Sequence, residues 1–368
     1  MMKNRGKNFV LLLWIVATIM VSPCCLGCGQ QEYWTISPCE GNSPGKELKP
    51  EVAAELKQYA PQFSAYMTSA VDKASAGDYS LLMQLRNETQ KTLIPFSREG
   101  ITIVDLSIKS QAGSLSLRIY TPSDLSAAER VPVVIYMHGG GWTFGSPSGS
   151  DHIATGICRT SCSIVISVDY RLSPENPYPA GLDDCTEAIQ WVRLNAFRYN
   201  GDPNLIYLAG DSAGGNIAAS SAVCELMNHR SIKGAILYYP AVNLSESGTK
   251  SMKSFATGYG LDSIVLEKLI RCYIPDSCKR AVWGISPINA DARDMPPVLI
   301  MTGQFDILRD DAKKFAEKLS AKGNRVRYIC LRGVTHAYLD SQCCASEFQM
   351  TMKETAGFIF RTSRSMQE

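Results

Sequence analysis

Residues 208–220 read LAGDSAGGNIAAS, one serine hydroxyl at Ser212 set among glycines and alanines. The apolar run Leu205–Ala209 before it reads as a strand, and Ala213–Met227 after it reads as a helix. Gly210-Asp211-Ser212-Ala213-Gly214 between them fits G-x-S-x-G. That pattern describes a sharp turn whose flanking positions must be small because larger side chains would collide. Five residues carry little weight alone, since any tight strand-to-helix turn could use them. A nucleophile at Ser212 needs a base, an acid and an oxyanion site from other parts of the chain.

Outward from this stretch, strands and helices alternate. Val131–Met137 and Ser163–Val168 read as strands, Leu182–Asn195 as a helix, and Ala235–Tyr239 as a strand. Leu261–Cys272 reads as a helix, Val298–Thr302 as a strand, Ala312–Lys322 as a helix and Arg325–Cys330 as a strand, with Ser346–Arg361 as a closing helix. Ile101–Ile108 and Leu115–Tyr120 alternate apolar and polar around Gln111-Ala112-Gly113, a hairpin. Continuous β-branched runs between amphipathic helices imply an α/β fold: a mostly parallel, twisted sheet with helices on both faces. In such sheets reactive groups follow the carboxyl ends of strands.

That rule selects the partners. Asp306 follows the strand at 298–302, and His336 follows the strand at 325–330. Asp294 precedes its strand, whereas Asp310 and Asp311 fall at a helix start and read as N-terminal charges. Of the four histidines, His138 lies in a glycine loop, His152 has no strand before it, and His229 ends the helix behind Ser212. The chain order Ser212, Asp306, His336 is that of α/β-hydrolases rather than of chymotrypsin-like or subtilisin-like enzymes. A hydroxyl becomes a nucleophile when an imidazole takes its proton, and a carboxylate fixes the tautomer of that imidazole. Tyr136-Met137-His138-Gly139-Gly140-Gly141-Trp142 follows the strand at 131–137. Its glycines let backbone amides turn toward an oxyanion, together with the amide of Ala213.

His138-Gly139-Gly140-Gly141-Trp142, Asp169-Tyr170-Arg171-Leu172-Ser173-Pro174-Glu175 and Gly210-Asp211-Ser212-Ala213-Gly214-Gly215-Asn216, with Asp306-Ile307-Leu308-Arg309-Asp310 and His336, resemble the hormone-sensitive-lipase-like family of α/β-hydrolases. The likeness covers about residues 95–360. It implies oxyanion donors at Gly140, Gly141 and Ala213, and hydrolysis of short- to medium-chain carboxylic esters through an acyl-enzyme without metal or organic cofactor. It also implies a helical cap, drawn from Glu47–Asn87 (a segment placed at 47–94) and part of 244–284, over a catalytic domain at 95–368. Trp142 is expected to shape the acyl pocket, His138 to hold the glycine loop, and Asp211 to support it by hydrogen bonds. Tyr170, Arg171 and Glu175 read as a loop-bracing network. Two other readings share the scaffold. One is a non-hydrolytic small-molecule binding protein like the plant gibberellin receptors, which lack the histidine; the other is an amidase or peptidase using the same three residues.

The N-terminus reads separately. Lys3, Arg5 and Lys7 precede the uncharged run Phe9–Val21, followed by Ser22-Pro23-Cys24-Cys25-Leu26-Gly27-Cys28. Basic, apolar, then small residues form an export signal over 1–28, too short in its apolar part to span a bilayer. Leu26-Gly27-Cys28 also resembles the end of a lipobox, which would place a lipid anchor at Cys28 as the one route of membrane attachment, although Cys25 stands where leucine is usual. Residues 29–46 read as a flexible tether, and Glu47–Asn87 as two or three helices broken at Pro61 and Gly77. Hydrophobic content of 45% and a formal net charge of +2 are ordinary and give no reason to expect a nucleic-acid partner. Among 13 cysteines, the pairs Cys158/Cys162, Cys272/Cys278 and Cys343/Cys344 are close enough to suggest local disulfides; free buried thiols are the alternative. The spacing contains no zinc-type ligand set.

Overall fold

The computed structural model describes residues 33–37, 39, 48–89, 94–126, 128–230, 232–245 and 248–364. The expected export signal, with Cys28, lies outside the described residues. The chain divides into Met1–Thr35, in which Tyr33 and Trp34 meet edge to face, and a body of Ile36–Glu368.

The body is built on a nine-stranded sheet among the described residues. In chain order the strands are β1 (Ile36–Ser37), β2 (Ile101–Ser110), β3 (Gly113–Pro122), β4 (Val131–Met137), β5 (Ile164–Asp169), β6 (Gly201–Asp211), β7 (Gly234–Tyr238), β8 (Val298–Phe305) and β9 (Val326–Thr335). Their spatial order is β1-β9-β8-β7-β6-β4-β5-β3-β2. Only the β2–β3 and β3–β5 pairings are antiparallel. The helices are α1 (Pro50–Ser75), α2 (Ser80–Thr89), α3 (Asp151–Ser161), α4 (Ala180–Asn195), α5 (Ala213–Met227), the short α6 (Lys250–Ser254), α7 (Ser263–Tyr273), α8 (Arg309–Ala321) and α9 (Ala345–Arg364).

The central strands are buried on both faces, which is why they read as unbroken apolar runs. Alternate positions show the two sides. The hydroxyls of Tyr207 and Tyr238 reach α9, at Thr362 and Thr355. Ile206, Leu208 and Leu237, pointing the other way, join Ile189, Ala218 and Val223 of α4 and α5 in the main core. A second apolar cluster unites α1, α2 and α7 through Met67, Val71, Leu82, Leu85, Val265 and Leu269, and it also takes in Phe144 from the loop after β4.

Several expectations are corrected. Residues 29–46 are not all tether: Ile36–Ser37 pairs in parallel with β9, and Cys39 is disulfide-bonded to Cys330. Polar, Gly- and Pro-rich composition carries no trace of an edge strand that takes its hydrogen bonds from a distant partner. The disulfide spans 291 residues, while Cys158, Cys162, Cys272, Cys278, Cys343 and Cys344 are all unpaired. Cys158 is buried on α3 while Cys162, its left-handed cap residue, is exposed, so the two thiols face different surroundings. Pro61 lies within α1 rather than ending it; the buried positions Val52, Ala60, Met67 and Ala70 on both sides of it hold the helix by packing despite the hydrogen bond its missing N–H cannot make. Helix α3 was not expected at all, although Ile153, Ala154, Ile157 and Cys158 give it a buried stripe at helical spacing.

Candidate active site

Ser212 sits between β6 and α5 with φ 53° and ψ −115°, in a region that side-chain-bearing residues rarely adopt. The turn is over-determined. The Ser212 N–H donates to Tyr238 O at 2.9 Å, and its carbonyl accepts from Asn216 and Ala241. A Cβ on Gly210 would lie 2.3 Å from Gly214 O, and one on Gly214 would lie 2.0 Å from Met137 O. The small residues around the serine are therefore a packing requirement, and the strained turn lifts its hydroxyl above the sheet.

The other two loop tips converge on it. Strand β8 runs to Phe305 and β9 to Thr335, both longer than their apolar cores, so Asp306 and His336 follow their strands directly. The two strands slip register between Gly303 and Phe305. Gly303 permits the close crossing there, since a Cβ would meet Thr335 O at 2.5 Å. His336 Nε2 lies 2.9 Å from Ser212 Oγ, and His336 Nδ1 lies 3.0 Å from Asp306 Oδ2. Asp306 is fully buried, and its second oxygen accepts the Leu308 N–H at 2.8 Å. Tyr239 lays its ring edge-on to the imidazole at 5.0 Å, a contact the sequence did not reveal.

The glycine loop crosses the same region. Gly140 and Gly141 have φ of 112° and 60°. The Gly140 carbonyl accepts the N–H groups of Thr143 and Phe144, closing a tight turn. A Cβ on Gly140 would strike Phe144 O at 2.3 Å. Among the described residues the amides of Gly140, Gly141 and Ala213 have no acceptor. The Gly139 amide is engaged instead with the carboxylate of Asp211, which also accepts the Tyr136 hydroxyl at 2.5 Å. Burial pushes the Asp211 carboxyl up to about 7, with Asp340 adding to it and the two hydrogen bonds opposing it.

His138 is buried beneath this loop. Its Nδ1 lies 2.8 Å from Gly139 O and its ring stacks on Tyr170 at 4.3 Å. Burial holds its pKa down to about 4, so the ring is a neutral N–H donor and a brace for the loop. The Tyr170 hydroxyl donates to His138 O at 2.7 Å. Trp142 is 2% exposed; it stacks on Tyr273 of α7 at 4.7 Å and donates from Nε1 to Asn216 at 3.3 Å. This places its indole as an anchor joining the loop to α5 and α7. Arg171 pairs with Asp184, and Glu175 pairs with Arg86 of α2. Arg86 was missed in the sequence, where it looks like any surface cation on a helix. His152 is buried against Leu339 O, and His229 lies just beyond the end of α5 with φ 53°.

Compared with known proteins, residues 134–340 match a family model described as the alpha/beta hydrolase fold. The chain is 36% identical over 231 residues to a carboxylesterase, NlhH, of Mycobacterium tuberculosis, covering 61% of this chain and 72% of the relative. It is 32% identical over 297 residues to an arylesterase of Saccharolobus solfataricus, covering 80% of this chain and 93% of the relative. A solved esterase structure from Pyrobaculum calidifontis superposes with a TM-score of 0.73 at 31% identity, covering 86% of this chain and 99% of that one.

Proposed function

The chain belongs to the alpha/beta hydrolase family, and from that premise we propose that it is a serine carboxylesterase working through an acyl-enzyme. The observation that carries this reading is the unbroken contact from Ser212 Oγ to His336 Nε2 at 2.9 Å and from His336 Nδ1 to Asp306 at 3.0 Å. His336 takes the hydroxyl proton as Ser212 Oγ adds to the ester carbonyl, and Asp306 stabilises the imidazolium that forms. The amides of Gly140, Gly141 and Ala213 receive the oxyanion; each such donor is worth about 3–4 kcal/mol of barrier. His336 then gives its proton to the departing alkoxide, and water repeats the sequence on the acyl-Ser212 ester to release the acid.

The relatives' names, carboxylesterase and arylesterase, support small carboxylic esters as the substrate class, with acyl groups of short to medium length. Helices α1, α2 and α7 act as the cap. Export fits the long-range disulfide Cys39–Cys330, since such bonds persist in oxidising compartments. The test is a p-nitrophenyl ester series from acetate to palmitate on the parent and on Ser212→Ala, with fluorophosphonate labelling. Activity concentrated at acetate to octanoate, and labelling confined to the parent, are the expected results. An Ala variant hydrolysing at the parental rate overturns the mechanism. An unlabelled parent that binds esters without turnover points instead to a binding protein.

A further inference from the structure

Arg86 stands on α2, outside the catalytic motifs, yet three of its nitrogens reach loops around the site. Its Nε donates to Thr143 O at 2.9 Å and one Nη to Ser173 O at 2.7 Å. Both Nη atoms also grip Glu175, at 2.6 and 2.8 Å, in a two-point pairing that only a planar guanidinium can make. Ser173 in turn donates its N–H to Trp142 O at 2.8 Å. The segment from Trp142 to Thr143, immediately after Gly140 and Gly141, is thus held from outside at two successive carbonyls. The same helix contributes Leu82 and Leu85 to the apolar cluster that encloses Phe144. The Arg86 side chain is only 12% exposed. Burial, the largest single effect, raises the Glu175 carboxyl, but the hydrogen bond and charge of Arg86 together with a backbone hydrogen bond hold it below the usual range.

We propose that Arg86 is a positioning residue: by clamping Thr143 O and Ser173 O it sets the direction of the Gly140 and Gly141 amides, so that the N-terminal helices complete the oxyanion site rather than merely cover it. This rests on the esterase reading above. A loop held by glycines with positive φ has many alternative paths, and a donor displaced by about 1 Å can cost 10²-fold in rate. The loss falls on the transition state, because the amides meet full negative charge only there.

The experiment measures kcat and KM for p-nitrophenyl butyrate on Arg86→Lys, Arg86→Gln and Glu175→Gln, each normalised to active sites counted by end-point fluorophosphonate labelling. Arg86→Gln is expected to lose on the order of 10–100-fold in kcat per labelled site with KM within about twofold. Arg86→Lys, keeping charge but not the fork, is expected to recover part of that loss. Glu175→Gln, which leaves the bonds to Thr143 and Ser173 in place, is expected to lose less in the same direction. An unchanged kcat per labelled site, or a rise in KM with kcat intact, overturns the proposal. Failure of the parent to label at Ser212 would instead remove the esterase reading on which it stands.

Discussion

Asp306 divides its carboxylate between two donors, giving Oδ2 to His336 Nδ1 at 3.0 Å and Oδ1 to the Leu308 N–H at 2.8 Å. The residue is wholly buried, and the second bond comes from the backbone at the approach to α8. The carboxylate therefore cannot rotate to let the imidazole turn without abandoning the buried Leu308 amide. The orientation of His336 is thus set from a helix start outside the segment that carries the histidine. The far nitrogen is left aimed at Ser212.

Asp306→Asn tests that arrangement. An amide in the same place would satisfy Leu308 through its oxygen but present N–H to Nδ1, forcing the wrong tautomer. A fall in kcat on the order of 10³–10⁴, with the protein still folded, is expected. A loss below tenfold would mean that another carboxylate serves His336.

The glycines divide by what surrounds them. Gly214→Ala puts a Cβ 2.0 Å from Met137 O, a backbone atom of the neighbouring strand β4 that cannot move aside. It is expected to destabilise by more than about 3 kcal/mol and to abolish activity. Gly357, inside α9 with nothing within 4 Å of its added Cβ, should behave oppositely. Gly357→Ala is expected to raise stability by roughly 0.5–1 kcal/mol in urea melts. Equal effects from both substitutions would contradict the packing account.

The Cys39–Cys330 bond ties β1 to β9 across 291 residues. Its removal by Cys39→Ala with Cys330→Ala is expected to lower unfolding free energy by about 2–5 kcal/mol. Dithiothreitol should lower the parent by a similar amount and leave the double variant unaffected. Among the buried thiols, Cys158 is a poor candidate for exchange, since burial pushes it up to about 12. A double variant still sensitive to reductant would reveal a second bridge.

Asp211 gives a pH dependence with a definite sign. Its carboxyl titrates at about 7 in the fold against 3.8 in the open chain, through burial first and Asp340 second, while Tyr136, the Gly139 amide and His152 oppose. Between those values the folded protein holds a proton that the unfolded chain releases. Its contribution is complete below pH 3.8 and lost as pH rises through 7. Asp211→Asn removes this term, so its stability relative to the parent should climb between pH 4 and 7. Parallel profiles across that window would show that Asp211 is ionised in the fold at all these pH values.

Legibility followed the range of the physical signal. The elbow at 210–214, the loop at 138–142 and the positions of Asp306 and His336 were readable because each depends on local needs: small residues at a bend, amides turned by glycine, a polar residue just past an apolar strand. Strand and helix order was readable for the same reason, since burial on two faces or one stripe leaves its period in the residues. Boundaries were less so, because β6, β8 and β9 extend through polar residues held by neighbouring strands.

The sequence by itself determined the kind of fold and which side chains are candidates for the chemistry. Only the tertiary structure decided that Ile36 and Cys39 belong to the sheet edge, that Pro61 does not end a helix, and that neighbouring cysteines stay apart while distant ones join. It also decided that Arg86 reaches the loop after the glycines, 57 residues away. Hydrogen bonds to distant carbonyls, a disulfide across the body and packing against another helix leave no periodic mark on either partner, so each appears only once the chain has closed on itself.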